Sequence, residues 1–372
     1  MKRTALDWFV CPISKGPLSA RSFDEIETDG VIKAGVLTCE TSNTWFPIIN
    51  GMPILLDFVT DIQRQFRDRY QQAHGDFFAK YQLPNGNPRP GEECTQRTFT
   101  KEWESLNDDD TSFGLTPEQR DQFIRLELDW PSTVLIREHL SVLEVGCGSG
   151  FESMSLERVT HGTVVGIDLN LWLIRCGPII DQHPKIHLAV ASAFAIPARE
   201  RFYDVVYSSG TLHHTYSTKA AFENVAKHRR DDGMIYIWVY ALEDSAGSKY
   251  MRAEWSWEEI VRPRIAKLPS PLQSAVVSLG AAYMTWWYRR NGAYSKDKWT
   301  KRNSEHAVRD RWTPLFAHRQ SFHEVIIWMR EQGLDYRLVD PHRYLEVMKA
   351  PLFGIGIRGA HPETSNSPCE RH

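Results

Sequence analysis

The sequence predicts an α/β fold: a doubly wound, mostly parallel seven-stranded sheet, with a small β-rich N-terminal domain and a helical lid insertion. Three observations carry this. From Ser141 onward, short β-branched runs alternate with helical patterns, the signature of strands joined by crossover helices. The block from 241 to about 318 breaks that rhythm and is rich in aromatics and bases. The first 56 residues hold only short apolar runs separated by turn residues.

The N-terminal runs are 35–39, 45–49 and 53–56, with Asn50-Gly51 as a turn. A head over 1–60 and a linker over 61–96 follow from the polar stretch ending in the Pro/Gly-rich 83–91. Residues from about 97 to 135 read as helical, with Thr116-Pro-Glu-Gln119 as a helix start. The main domain over 97–360 has strands at 141–145, 163–167, 185–190, 203–208, 233–240, 336–340 and 354–359. Helices lie between them at 151–160, 171–180, 218–229 and 321–332. Residues 361–372 read as a disordered tail.

The chain has 372 residues, 42% of them hydrophobic, enough for a sizeable core. A net charge of −3 predicts no nucleic-acid partner, since such proteins concentrate bases. Six scattered cysteines favour a reducing, cytoplasmic setting. Acid and Trp8 interrupt any signal-peptide core near the N-terminus. The apolar stretch 272–288 is short for a membrane span of roughly 20 residues. It reads as a buried or lid helix; peripheral membrane contact is the minor reading, because Arg289 and Arg290 cap its end.

Glu144-Val-Gly146-Cys147-Gly148-Ser-Gly150 follows a strand and opens a helix. Glycines there let a ligand approach the backbone closely. The dinucleotide fingerprint needs glycine or alanine three positions after its second glycine, where this chain has Phe151. Glu144 suits a cationic ligand better than a pyrophosphate. Asp168 ends the next strand, where a carboxylate can accept hydrogen bonds from ribose hydroxyls. Together these predict a nucleoside site.

With the strand ends Gly166-Ile-Asp168 and Ala191-Ser-Ala-Phe-Ala-Ile-Pro197, and the run from Tyr203 to His214, residues 141–240 resemble the class I S-adenosylmethionine-dependent methyltransferases, close to the small-molecule branch. The resemblance implies S-adenosylmethionine as cofactor. Glu144, Gly146, Cys147, Gly148 and Gly150 would hold its methionine end. Asp168 would hold the ribose, with Leu169 beside the adenine. Ser192 and Ala193 would flank the adenine, and Ser209 and Gly210 would line the cofactor beneath the substrate. Ser192 stands where the family usually has an acid; its hydroxyl can still accept from the adenine amino group.

Methyl transfer is an in-line displacement from a sulfonium, so the protein mainly positions, desolvates and removes a proton. His213 and His214, just after the fourth strand, are the candidate bases, since histidine as a residue type ordinarily titrates near neutral pH. Tyr240 could contact substrate. Trp255, Trp257, Trp286, Trp287, Trp299 and Trp312 fall in the insertion that would cover the substrate, where core packing is the commoner role of tryptophan.

Cys11-Pro-Ile-Ser14 and Cys39-Glu-Thr-Ser42, with 45–56 after them, resemble the Trm112-like zinc ribbons. A ribbon closes its site with two C-x-x-C pairs. Serine replaces the second cysteine of each pair, so no metal is expected. The resemblance permits docking of a protein partner at this head. The function expected is methyl transfer to a small molecule or biosynthetic intermediate. The alternatives are an RNA or protein methyltransferase, or a non-catalytic cofactor-binding partner of another enzyme.

Overall fold

The computed structural model describes residues 1–23, 30–104, 115–180, 182–242, 249–291, 300–348 and 354–365. The head is an antiparallel sheet of β1 (Ser19–Ser22), β2 (Gly35–Cys39), β3 (Thr44–Ile49) and β4 (Met52–Pro53), paired in that order. Asn50 and Gly51, both at positive φ, make the β3–β4 turn. Cys11 Sγ lies 3.4 Å from Ser42 Oγ, and Cys39 Sγ 3.2 Å from Ser14 Oγ, so the four ribbon positions converge. Hydrogen bonds from Ser14, Ser42 and Cys11 outweigh desolvation and bring the Cys39 thiol down to about 7. Since only the ligand atoms differ from a four-thiolate knuckle, the Ser14→Cys/Ser42→Cys variant should hold one zinc per chain; a metal assay on that variant checks it.

Residues 61–96, expected as linker, instead carry α1 (Asp61–Tyr70), α2 (Gly75–Lys80) and the start of α3 (Glu92–Glu104). Gln63 Oε1 accepts from the Thr60 amide at 2.6 Å and starts α1. Phe66, Phe77 and Tyr81 pack with Trp45 on the outer face of the head. The helical region then continues as α4 (Pro117–Glu127) and α5 (Ser132–Leu135), with Thr116 capping α4 as expected.

The main sheet contains β5 (Ser141–Val145), β6 (Thr163–Asp168), β7 (Ile186–Val190), β8 (Tyr203–Ser209), β9 (Arg229–Tyr240), β10 (Asp335–Leu338) and β11 (Gly354–Ala360). Its order is β10-β11-β9-β8-β5-β6-β7. Strands β5 to β9 pair in parallel, while β11 runs antiparallel to both β9 and β10. Fully buried strands explain the continuous apolar runs. Helices α6 (Phe151–Thr160), α7 (Leu173–Ile180), α8 (Thr218–Ala226) and α12 (Phe322–Glu331) connect strands. The lid contributes α9 (Lys249–Ile265), α10 (Ser270–Asn291) and α11 (Lys301–Trp312). Helices α13 (Pro341–Met348) and α14 (Pro362–Ser365) complete the described chain. The tail expectation is therefore corrected at 362–365, and 366–372 lie outside the described residues. No helix among the described residues is long and apolar enough to cross a membrane.

Head and main sheet are joined through the backbone. Ile54 bridges Val190 in parallel, and the Leu55 amide donates to Val190 O at 2.8 Å, so the strand after β4 extends the β7 edge. Val10 N donates to Pro197 O, Lys15 Nζ to Ile196 O and Asn50 Nδ2 to Ile174 O. Phe9, Phe46 and Leu55 share one apolar core with Val165, Ala189 and Ile196. Sheet edges left open invite foreign strands, and here the head covers one.

Candidate active site

The sheet changes direction of winding at β5, which has β6 on one side and β8 on the other. The carboxyl ends of these strands form the crevice where ligands bind in this topology. Glu144, Asp168 and Ser209 sit at those three ends.

The turn after β5 holds its shape through three left-handed glycines, at φ +93° (Gly146), +57° (Gly148) and +87° (Gly150). A Cβ at Gly146 would overlap the Thr211 side chain, and one at Gly148 the Trp103 indole. Asp168 locks the turn from the neighbouring strand. Its Oδ2 accepts from Gly148 N at 2.9 Å and its Oδ1 from Asn170 N at 2.8 Å. Burial raises the Asp168 carboxyl above its ordinary range, against these hydrogen bonds. Glu144 is buried behind the turn. Ser153 Oγ donates to its Oε2, while Oε1 has no partner. Desolvation, then the nearby Glu152, push Glu144 up to about 8.

The residues present fit a cationic nucleoside cofactor. An orphaned buried carboxylate oxygen is costly unless a donor or cation meets it. The positive-φ glycines put no side chain on the turn beside that carboxylate. Of the other expected cofactor residues, Cys147 is buried, while Leu169 and Ala193 are half-buried at the ends of β6 and β7. Ser209 and Gly210 are half-buried at the end of β8. Ser192 is fully buried and donates to Glu92 Oε1 of α3. The acid missing at position 192 thus arrives from a helix 100 residues earlier.

Helix α3 covers this crevice. Gln96 Nε2 donates to Leu169 O at 2.9 Å, Leu171 N donates to Thr100 Oγ1, and Trp103 lies over Gly148. Sequence reading missed this role. The only signal was a strongly polar helix with a few buried positions, which resembles a solvated linker.

His213 and His214 form a short 3-10 turn after β8 and are both buried. They differ in their partners. His214 Nδ1 is 3.0 Å from Phe316 O, and its Nε2 lies 3.2 Å from Asp310 Oδ1 as an ion-pair contact without hydrogen-bond alignment. Tyr240 donates its hydroxyl to the other Asp310 oxygen. Burial alone would raise Asp310, but His214 and Tyr240 hold its carboxyl below the ordinary range. His213 stacks on Tyr240 with ring centroids 4.0 Å apart, and neither of its ring nitrogens has a hydrogen-bond partner. Burial, then His214, hold its pKa well below the usual histidine value. Beyond Asp310 lies a second buried pair, His306 Nε2 with Glu102 Oε1 at 3.3 Å.

Residues 143–237 match the family described as Methyltransferase domain, and residues 2–51 match Trm112p-like protein. Among curated relatives, the tRNA U34 carboxymethyltransferase of Ectopseudomonas mendocina is 31% identical over 121 residues, covering 28% of this chain and 37% of the relative. The tRNA U34 carboxymethyltransferase of Pseudomonas savastanoi pv. phaseolicola is 27% identical over 197 residues, covering 45% and 59%. The chain thus spans about two fifths to three fifths of the length of these relatives. A solved complex of the Haloferax volcanii Trm112 methyltransferase activator with a putative methyltransferase is 13% identical, with a TM-score of 0.36, covering 69% of this chain and 99% of that one.

Two expectations are corrected by these relatives, which are named for a tRNA nucleoside: the small-molecule acceptor and the absence of a nucleic-acid partner. The alternative reading, RNA, is the one they back. The physical reason for the error is that net charge is a whole-chain sum. Modification of a single nucleoside needs bases near one cleft, not an excess over the entire surface.

Proposed function

We propose that this chain, which carries a methyltransferase domain behind a Trm112p-like domain, transfers a methyl group from S-adenosylmethionine to a nucleoside of RNA, with tRNA as the substrate class. The observation that carries the acceptor class is the 197-residue likeness to a tRNA-modifying relative, taken with the donor site at the end of β5. S-adenosylmethionine supplies a methyl group on a sulfonium, with its own leaving group. A cytoplasmic setting goes with this reading.

Glu144 and the glycine turn would hold the methionine end, and Asp168 the ribose. Leu169, Ala193 and Gly210 would line the nucleoside. Glu92, paired with Ser192, is the acid proposed for the adenine amino group. His213 is proposed as the residue that meets the acceptor. Its unpartnered nitrogens are costly unless substrate pairs with them, and its lowered pKa keeps it neutral, so it can accept a hydrogen bond from the acceptor without repelling a sulfonium. His214 is proposed as a positioning residue, fixed by Asp310 and Phe316.

The test is incubation of the full chain with methyl-labelled S-adenosylmethionine and total tRNA, followed by digestion to nucleosides. The expected result is label in one nucleoside at a mass increment of one methylene, reduced at least about a hundredfold by His213→Ala, the scale of a mispositioned acceptor. A chain that binds the cofactor yet leaves tRNA unlabelled would sink the RNA reading.

A further inference from the structure

The stretch that forms α10 was expected to be a buried or lid helix, with membrane contact as the minor reading, and only one side of it is buried. Val277, Ala281 and Met284 face inward with Val308 of α11, and Trp312 lies against Gly280. On the opposite side Leu279 is 74% exposed, and Leu272, Tyr283 and Trp286 are each more than half exposed. Positions 272, 279, 283 and 286 fall at helical spacing, so they form one stripe. Ile260 of α9, 61% exposed, is a further apolar side chain left uncovered on the lid. A helix apolar on both faces is one whose outer face has a cover.

Charge says what the cover is. From 260 to 296 the sequence has no Asp or Glu in 37 residues, although acids make up 47 of the 372 overall. The same run carries six bases. Arg262 is buried on Arg311 O and Ala317 O, but Arg264 and Lys267 are exposed just before α10, and Arg289 and Arg290 at its end. The Arg290 guanidinium lies 5.7 Å over the Trp286 ring. Bases therefore bracket the stripe. A second copy laid on it would set bases against bases with no acid between them. RNA would satisfy the bases but offers nothing to the leucines. A membrane surface meets all three features: acyl chains for leucine, the headgroup boundary for Trp and Tyr, and anionic headgroups for arginine and lysine.

We propose that the outer face of α10 docks the protein in the plane of a membrane containing anionic lipid. This is independent of the acceptor, and the donor cleft is covered by α3, outside the lid helices. The full chain should sediment with vesicles of phosphatidylcholine and phosphatidylglycerol at least tenfold more strongly than with phosphatidylcholine alone. Added salt should weaken that binding. The Leu279→Glu/Trp286→Glu variant should lose at least tenfold of it with an unchanged melting temperature, because both side chains are exposed. The Arg289→Gln/Arg290→Gln variant, which leaves the apolar stripe intact, should lose several-fold on the anionic vesicles and little on the neutral ones. No sedimentation of the wild type with anionic vesicles would overturn the proposal. So would equal sedimentation of the arginine variant. It would equally fall if the wild type is a dimer that the Leu279/Trp286 variant splits, or if that variant loses tRNA rather than vesicles.

Discussion

Replacing Asp168 by alanine is expected to weaken S-adenosylmethionine binding at least about a hundredfold. Two contributions add. Hydrogen bonds from ribose hydroxyls to a carboxylate are each worth roughly 1.5–3 kcal/mol, and both would be lost. The side chain also holds the turn itself, through Gly148 N and Asn170 N. Asn170 would still reach Gly148 O through Nδ2 at 3.0 Å, so the fold should survive with a loosened turn. Asp168→Asn separates the two: it keeps an acceptor for one amide but cannot present two anionic oxygens. Calorimetry on both variants, with melting curves as a folding control, gives the answer. Unchanged affinity in the alanine variant would mean the ribose lies elsewhere.

The second large effect concerns the head. Leu55→Glu should abolish cofactor binding as well as unfold the head, although residue 55 is remote in sequence from the glycine turn. Leu55 is fully buried, its amide bonds to Val190 O, and its side chain belongs to a core that continues into β5, β6 and β8. An uncompensated buried carboxylate costs on the order of 3–5 kcal/mol, a large part of the 5–15 kcal/mol that typically holds a domain together. Val190 leads directly to the strand end carrying Ser192 and Ala193. Thermal unfolding followed by two probes should show one early transition. If instead the head melted alone, with cofactor affinity intact, the head would be an appendage and the shared core would carry no energetic weight.

How much of this was legible from the chain follows from the range of the interactions involved. The parallel sheet, the glycine turn, Asp168 and the paired histidines are signalled by local pattern: period-2 and period-3.6 hydrophobicity, and glycines beside a strand end. The strand at 233–240 was found, but β9 begins at Arg229, because its first four residues are polar and partly exposed. The groups that complete the site come from far along the chain. Glu92 meets Ser192, Trp103 covers Gly148, and Asp310 meets His214 and Tyr240. Nothing in the local sequence of α3 distinguishes it from a solvated linker helix, since its buried faces include Glu92, Gln96, Thr98 and Glu102. The acceptor expectation rested on whole-chain net charge, which carries no information about the residues around one cleft.

The cationic character of the ligand at Glu144 also sets a pH dependence. In the free protein this carboxyl is raised to about 8, so it is largely protonated at neutral pH. A cation beside it favours the carboxylate, so binding must expel a proton below that pKa, and affinity should rise as pH increases toward about 8. Titration of the full chain with S-adenosylmethionine by calorimetry, in buffers of different ionisation enthalpy, therefore tests the donor site most directly. One ligand should bind per chain, with a fraction of a proton released at neutral pH. No heat and no thermal shift at millimolar ligand would contradict it.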